Sequence, residues 1–233
     1  MRATEEPQTA DSARRAFSLR PVAFEVNSGV FDPRSSHIAR LKPFTAFFMA
    51  DGVGFGFAPG ASESPEGLYM RFTGATAGAR WTTGPQLPGV VNYYLGNDPR
   101  QWRERVPTYA SLTAPGVWPG IDAVFYGHKE SLEFDFVIAP GADPNAIEIE
   151  FLGAQSLTMS GDGAMTVMAG QAGIKLLAPL VSQRDGTSSR RIAGHYRPLG
   201  PHSVRFQVAD YDRTKPLVID PIVVGVLTYV GTG

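Results

Sequence analysis

Cysteine is absent from this chain of 233 residues, which removes disulfides, thiol nucleophiles and thiolate metal sites. That absence leaves the compartment open. No run approaches the roughly 18 apolar residues that a membrane-spanning helix requires. The opening stretch MRATEEPQTADSARR has no apolar segment of the signal-peptide kind and reads as a disordered leader. An excess of one charge is missing as well. Lys and Arg total 21 against 22 Asp and Glu, a net charge of -1, so there is neither a nucleic-acid footprint nor a polybasic membrane signal. The local cluster RQWRER (Arg100 to Arg105) reads as a solvated face. His37, His128, His195 and His202 are scattered without metal-ligand spacing, and there is no nucleophile elbow or phosphate loop. No metal and no cofactor is expected.

What the chain does have is turn formers and apolar residues. Gly 26, Pro 19, 43% hydrophobic and only 18% charged residues suit an all-β protein with frequent turns. Period-two alternation recurs. Leu68, Met70 and Phe72 share one side of LYMRFTG; Ile147, Ile149 and Phe151 share one side of IEIEFLG; Val204, Phe206 and Val208 do so in SVRFQVADYD. Turns are expected at ADG (50–52), SGDG (160–163) and RDG (184–186). SGDG resembles part of a calcium loop but lacks the other ligand positions, so it reads as a hairpin turn. NDPRQWRERVP predicts one short helix, capped by Asp98, opened by Pro99 and stopped by Pro107. PLVIDP is expected to be the final strand, with Asp220 at its end.

Two segments read alike. FGFAPGASESPEGLYMRFTGA (Phe55 to Ala75) and FDFVIAPGADPNAIEIEFLGA (Phe134 to Ala154) both run Phe-x-Phe, Ala-Pro-Gly, a loop, then a strand ending Phe-x-Gly-Ala. Such self-similarity argues for a duplicated β unit. It implies two related antiparallel β-sandwich-like lobes or one large two-sheet sandwich. The expected divisions are a leader over 1–21, a first lobe over 22–115, a second over 116–221, and the start of a linker over 222–233.

The candidate site lies in AVFYGHKESLEFDFVIAPG. Leu132, Phe134, Phe136 and Ile138 share one strand face, which leaves Glu133 and Asp135 on the other. Matching this strand to Ile121, Ala123 and Phe125 puts Asp122, Val124 and Tyr126 on the acids' face, with Asp122 roughly across from Asp135. Carboxylates two apart on a strand stand ~7 Å apart, a separation open to glycosidase chemistry, and they could also ligate Ca²⁺. The plainer reading is a solvated face whose repulsion an Arg or Lys from a neighbouring strand relieves, Arg205 for instance, and alternating charges on exposed strands make it the preferred one. In the first repeat Gly54 and Gly56 occupy the aligned places, so the β unit does not require acids there. The aromatic band holding Tyr94, Trp102, Tyr109 and Trp118 could stack on sugar or peptide. Ordinary packing is the preferred reading for it. The binding candidates are therefore Asp122, Tyr126, Glu133, Asp135, Tyr94, Trp102 and Trp118.

Several blocks together resemble a bacterial module. VAFEVNSGVFDPR looks like its opening, and NYYLGNDPRQWRERVPTY its central signature. VWPGIDAVFYG, LEFDFVIAPGADPNAI and YDRTKPLVIDPIV match three more blocks. The family is the uncharacterised, DUF7948-like all-β domain that precedes SBBP-type β-propeller repeats in bacterial surface or secreted proteins. LTYVGTG at the end looks like the lead into such a repeat. The resemblance covers nearly the whole chain from Val22. It departs at Val30, where a Gln or similar polar residue is usual, and at Phe125 and Phe134, where Tyr is replaced. It implies an extracellular or cell-surface, non-enzymatic structural or interaction module whose partner is its own downstream propeller, and it carries over no catalytic residue. A carbohydrate-active hydrolase or glycan-binding domain using the Asp122/Glu133/Asp135 face is the alternative. A glycan or a cell-surface protein could then be a further partner.

Overall fold

A computed structural model describes residues 22–57, 67–128, 131–185 and 188–227. The leader expected over 1–21 lies outside them, as do residues 228–233. The chain folds as strands β1 (Phe24–Val26), β2 (His37–Arg40), β3 (Phe44–Met49), β4 (Gly52–Phe57), β5 (Gly67–Phe72), β6 (Thr82–Thr83) and β7 (Gln86–Tyr93). Next come β8 (Arg103–Tyr109), β9 (Ser111–Trp118), β10 (Ile121–His128), β11 (Ser131–Ile138), β12 (Glu148–Leu152), β13 (Ser156–Met159) and β14 (Met165–Ala169). The last are β15 (Ala172–Leu176), β16 (Leu180–Asp185), β17 (Ser188–Ile192), β18 (Gly194–Pro198), β19 (Ser203–Val208), β20 (Leu217–Asp220) and β21 (Ile222–Leu227).

Two antiparallel sheets form a sandwich, so of the two expected architectures the single large one is observed. Sheet A runs β18-β19-β12-β5-β4-β3-β2-β1-β8-β7. Sheet B runs β13-β14-β15-β21-β11-β10-β9-β6, with β16, β17 and β20 as a branch. The alternating side chains read from sequence meet between the sheets. Phe72, Trp118, Phe134, Phe136 and Phe206 make a chain of ring contacts with centroids 5.4–5.9 Å apart. Such edge-to-face contacts add to the burial of each ring. Phe134, Phe136, Ile149, Phe151 and Phe206 are buried as expected, whereas Val208 is half-buried at the margin.

The two halves of the chain are interlocked. The expected boundary between 115 and 116 falls inside β9, a strand of sheet B, while β12, β18 and β19 cross back to complete sheet A. The repeat is visible as two hairpins, β3–β4 in sheet A and β10–β11 in sheet B. Its third strands do not take the same course. β5 pairs with β4, but β12 leaves sheet B and pairs with β5 itself, Phe151 opposite Met70.

Three expectations need correction. The predicted helix is a single 3₁₀ turn, Pro99–Gln101, with Asp98 as its cap accepting from the Arg100 amide at 3.1 Å. Pairing of β8 with β7 claims the residues after it, so the cap chemistry starts a turn that the ladder ends. A second Asp-Pro pair, Asp143 and Pro144, makes the same kind of turn at Pro144–Ala146. PLVIDP is not the last strand, and residues 222–227 are not the start of a linker. They form β21, inserted between β11 and β15. Gly225 admits this strand close to sheet A's loop, since a Cβ there would lie 2.0 Å from Pro43 Cδ. The ADG and SGDG turns do join hairpins, β3–β4 and β13–β14. The RDG turn joins β16 and β17, though Gly186 lies outside the described residues.

Candidate functional site

The acids emerge from the register of β10, β11 and β20. Tyr126 stands opposite Glu133 and Val124 opposite Asp135, on the face away from the core. Asp122 lies opposite Val137, one same-face step beyond the expected position across from Asp135. Its Oδ1 accepts the Gly116 amide at 2.7 Å, beside the register shift between β9 and β10. Asp122 thus serves the backbone. The residue that does face Asp135 is Asp220. The same register holds on both sides of Pro221, with Phe136 opposite Ile219 and Glu133 opposite Ile222, and this sets Asp220 directly across from Asp135. Sequence reasoning placed Asp220 at a strand end. The signal that could have found it was the possibility that PLVIDP pairs with β11, which nothing local in sequence reveals.

The electrostatics depart from a solvated face. Asp135 is half-buried, and its carboxyl is pushed up to about 6, first by burial and then by the charge of Asp220. Tyr126 donates its hydroxyl to Asp135 Oδ1 at 3.0 Å, which partly offsets that rise. Burial raises the Asp220 carboxyl too, and its Oδ1 is buried without a hydrogen-bond partner among the described residues. The Tyr126 phenol is held well above its ordinary value by burial and by the carboxylates of Asp135 and Asp220. Arg205 does not relieve this repulsion. It belongs to sheet A, where its Nη2 bonds Glu148 at 2.7 Å.

Around the acids the outer face is mixed. Val124, Val137, Val218 and Ile222 are half-buried there, Thr113 and Ser182 stand opposite Val124 and Val218, and Leu180, opposite Asp220 on β16, is exposed. No group of three or more potential metal ligands occurs among the described residues. No helix among them is long and apolar enough to cross a membrane.

The aromatic candidates lie elsewhere. Trp118 is core: it is 2% exposed, packs on Phe72 and Phe136, and donates its indole N–H to Thr73 O at 3.0 Å. Tyr94 and Trp102 pack edge to face at 5.1 Å where β7 and β8 join, on sheet A and apart from the acids. That ribbon is anchored through its neighbour. Tyr93 donates its hydroxyl to the buried Glu25 carboxylate, which also takes Arg40 Nε at 3.2 Å. Asn27, in the opening block, holds its own loop by donating to Asp32 O at 2.8 Å and Ser35 O at 2.9 Å. Arg103 then ties the loop to the signature block through Ser28 O at 2.9 Å.

A wide concavity lies over the first repeat. A groove of about 840 Å³ covers Gly54 and Gly56, walled by Phe47, Met49, Tyr69, Leu152 and Arg34. Where Tyr126 reaches diagonally to Asp135 in sheet B, Phe47 reaches diagonally over Gly56 in sheet A, its ring 3.0 Å from where a Cβ would stand. The two hairpins share a geometry and carry different chemistry on it.

A family model described as a domain of unknown function, DUF7948, matches residues 24–222. No curated protein and no solved structure matches the chain.

Proposed function

Because the chain belongs to the DUF7948 family, whose function is unknown, we propose that it acts without catalysis, as an extracytoplasmic interaction module that packs against a β-propeller downstream in the same protein. The observation that carries this reading is the outer face of sheet B. Val124, Val137, Val218 and Ile222 surround two carboxyls that burial has already raised, and Asp220 Oδ1 lacks a partner among the described residues. A buried polar atom without a partner is costly, and apolar side chains set beside it on an outer face are what a docking surface offers. β21 lies in this sheet, so residue 227 stands in the same layer that carries the face. A basic and apolar contact from the propeller would cover the valines and neutralise the acids. The resemblance to modules that precede SBBP repeats in bacterial surface proteins points the same way.

The test is small-angle X-ray scattering on the longer protein with its following repeat, beside a Val137→Lys variant. The two parts should form one compact particle, and the added lysine should make it extend while the isolated domain still folds. Two parts that move independently in the unmodified protein would overturn the reading.

A second reading, a carbohydrate-active hydrolase, is favoured by one observation: Asp135 keeps its proton up to about pH 6, with Glu133 two residues along the same face. A proton donor beside a carboxylate at ~7 Å is the arrangement of an inverting glycosidase. Turnover of a glycan that Asp135→Asn abolishes would select this reading over docking.

A further inference from the structure

Two small clefts meet at Asn145, beside the β18 end of sheet A. One, of about 150 Å³, is lined by Asn145, Arg197, Arg205 and Gln207 over apolar neighbours. The other, also about 150 Å³, shares Asn145, Phe206 and Val208 and runs on to Asp210, Tyr211 and Arg213.

The fold alone does not account for what gathers here. Arg197 and Arg205 are directly opposite one another on β18 and β19. Like charges so placed destabilise a sheet. Arg205 gives Nη2 to Glu148, yet its Nε is buried without a partner among the described residues, and so is the hydroxyl of Tyr211. Arg197 makes no ion pair among the described residues. Buried donors ordinarily have acceptors. In the first cleft the side chains supply two guanidinium groups and two amides. Glu148 is the acceptor already engaged by one guanidinium, and Asp210 lies in the second cleft.

We infer that the first cleft binds a tetrahedral oxyanion, a sulfate or phosphate group, held between Arg197 and Arg205. Guanidinium forks match the oxygens of such a group in paired hydrogen bonds, and a neighbouring pair of them is relieved of its repulsion by the bound charge. Gln207 supplies a neutral donor at the cleft wall, as does the second N–H of Asn145, whose Nδ2 also donates to Asp143 Oδ1 at 2.8 Å. Asp210 and Tyr211 in the adjoining cleft suit hydroxyls on whatever carries the anion, as in a sulfated or phosphorylated sugar. This site is separate from the acidic face of sheet B and does not depend on docking there.

The test is calorimetric titration of the full chain with sodium sulfate, with sodium phosphate and with sodium acetate, ionic strength held constant with sodium chloride. Saturable heat is expected for at least one tetrahedral anion, with acetate at least tenfold weaker. Whichever of sulfate and phosphate binds more tightly identifies the ester to seek. Arg197→Gln, at an exposed position, should weaken binding tenfold or more, while without anion the thermal midpoint should hold or rise, since the substitution removes the repulsion from Arg205. Absence of saturable heat, acetate binding as tight, or binding retained in Arg197→Gln would each overturn the assignment.

Discussion

Asp135 and Asp220 confront each other across β11 and β20, and burial raises the carboxyls of both. The direction of the shift fixes its consequence for stability. The folded state holds the Asp135 proton up to about pH 6, whereas the unfolded chain releases it near the ordinary carboxyl value of 3.8. Between these limits the folded state binds more protons, so the contribution of Asp135 is greatest below about 4 and is lost as pH rises to about 6. Asp135→Asn keeps an acceptor for Tyr126 and removes the ionisation. After allowance for solvent screening it should stabilise the domain by about 1 kcal/mol at pH 7 and flatten this part of the stability curve. Urea midpoints measured at half-unit pH steps check it. An unchanged slope would show that Asp135 titrates as an exposed acid.

A second expectation concerns Tyr93 and Glu25. Burial and the hydrogen bond to Glu25 push the Tyr93 phenol up to about 12, so its hydroxyl is a committed donor. Tyr93→Phe leaves one oxygen of a buried carboxylate without that partner. The cost should be about 1–3 kcal/mol. Tyr94→Phe, in an exposed ring, should stay within about 0.5 kcal/mol. Equal effects in chemical denaturation would remove Glu25 from the anchoring of the ribbon.

Phe136 touches Phe72, Trp118, Phe134 and Phe206, and Phe136→Ala should cost about 3–5 kcal/mol. Denaturant midpoints against the unmodified chain measure it. A loss below about 1 kcal/mol would mean that the neighbouring rings close over the space.

Which of these features could be read beforehand depends on the range of the interactions. Phe134, Phe136 and the face shared by Tyr126, Glu133 and Asp135 come from period two and a hairpin turn, both local in sequence. The position of Asp220 depends on a partner strand far along the chain, so its role was hidden until β20 met β11. Trp118 and Tyr94 belong to one aromatic band by composition. What separates them is that Trp118 ends β9 on the face turned to the core, whereas Tyr94 follows β7, the strand at one end of sheet A. The expected helix failed for the same reason: Asp98 and Pro99 start a turn by local chemistry, but pairing with β7 takes over from Arg103.

Sheet B is not assembled in the order in which its strands are made. Its segment between β11 and β15 is supplied by β21, so a ribosome-bound chain stopped short of residue 222 leaves two borders without the strand that joins them, Leu132–Glu133 of β11 and Ala172–Leu176 of β15. Such borders recruit strands from other molecules. Nascent copies from which β21 has yet to emerge are therefore the species that a holding chaperone would need to shield.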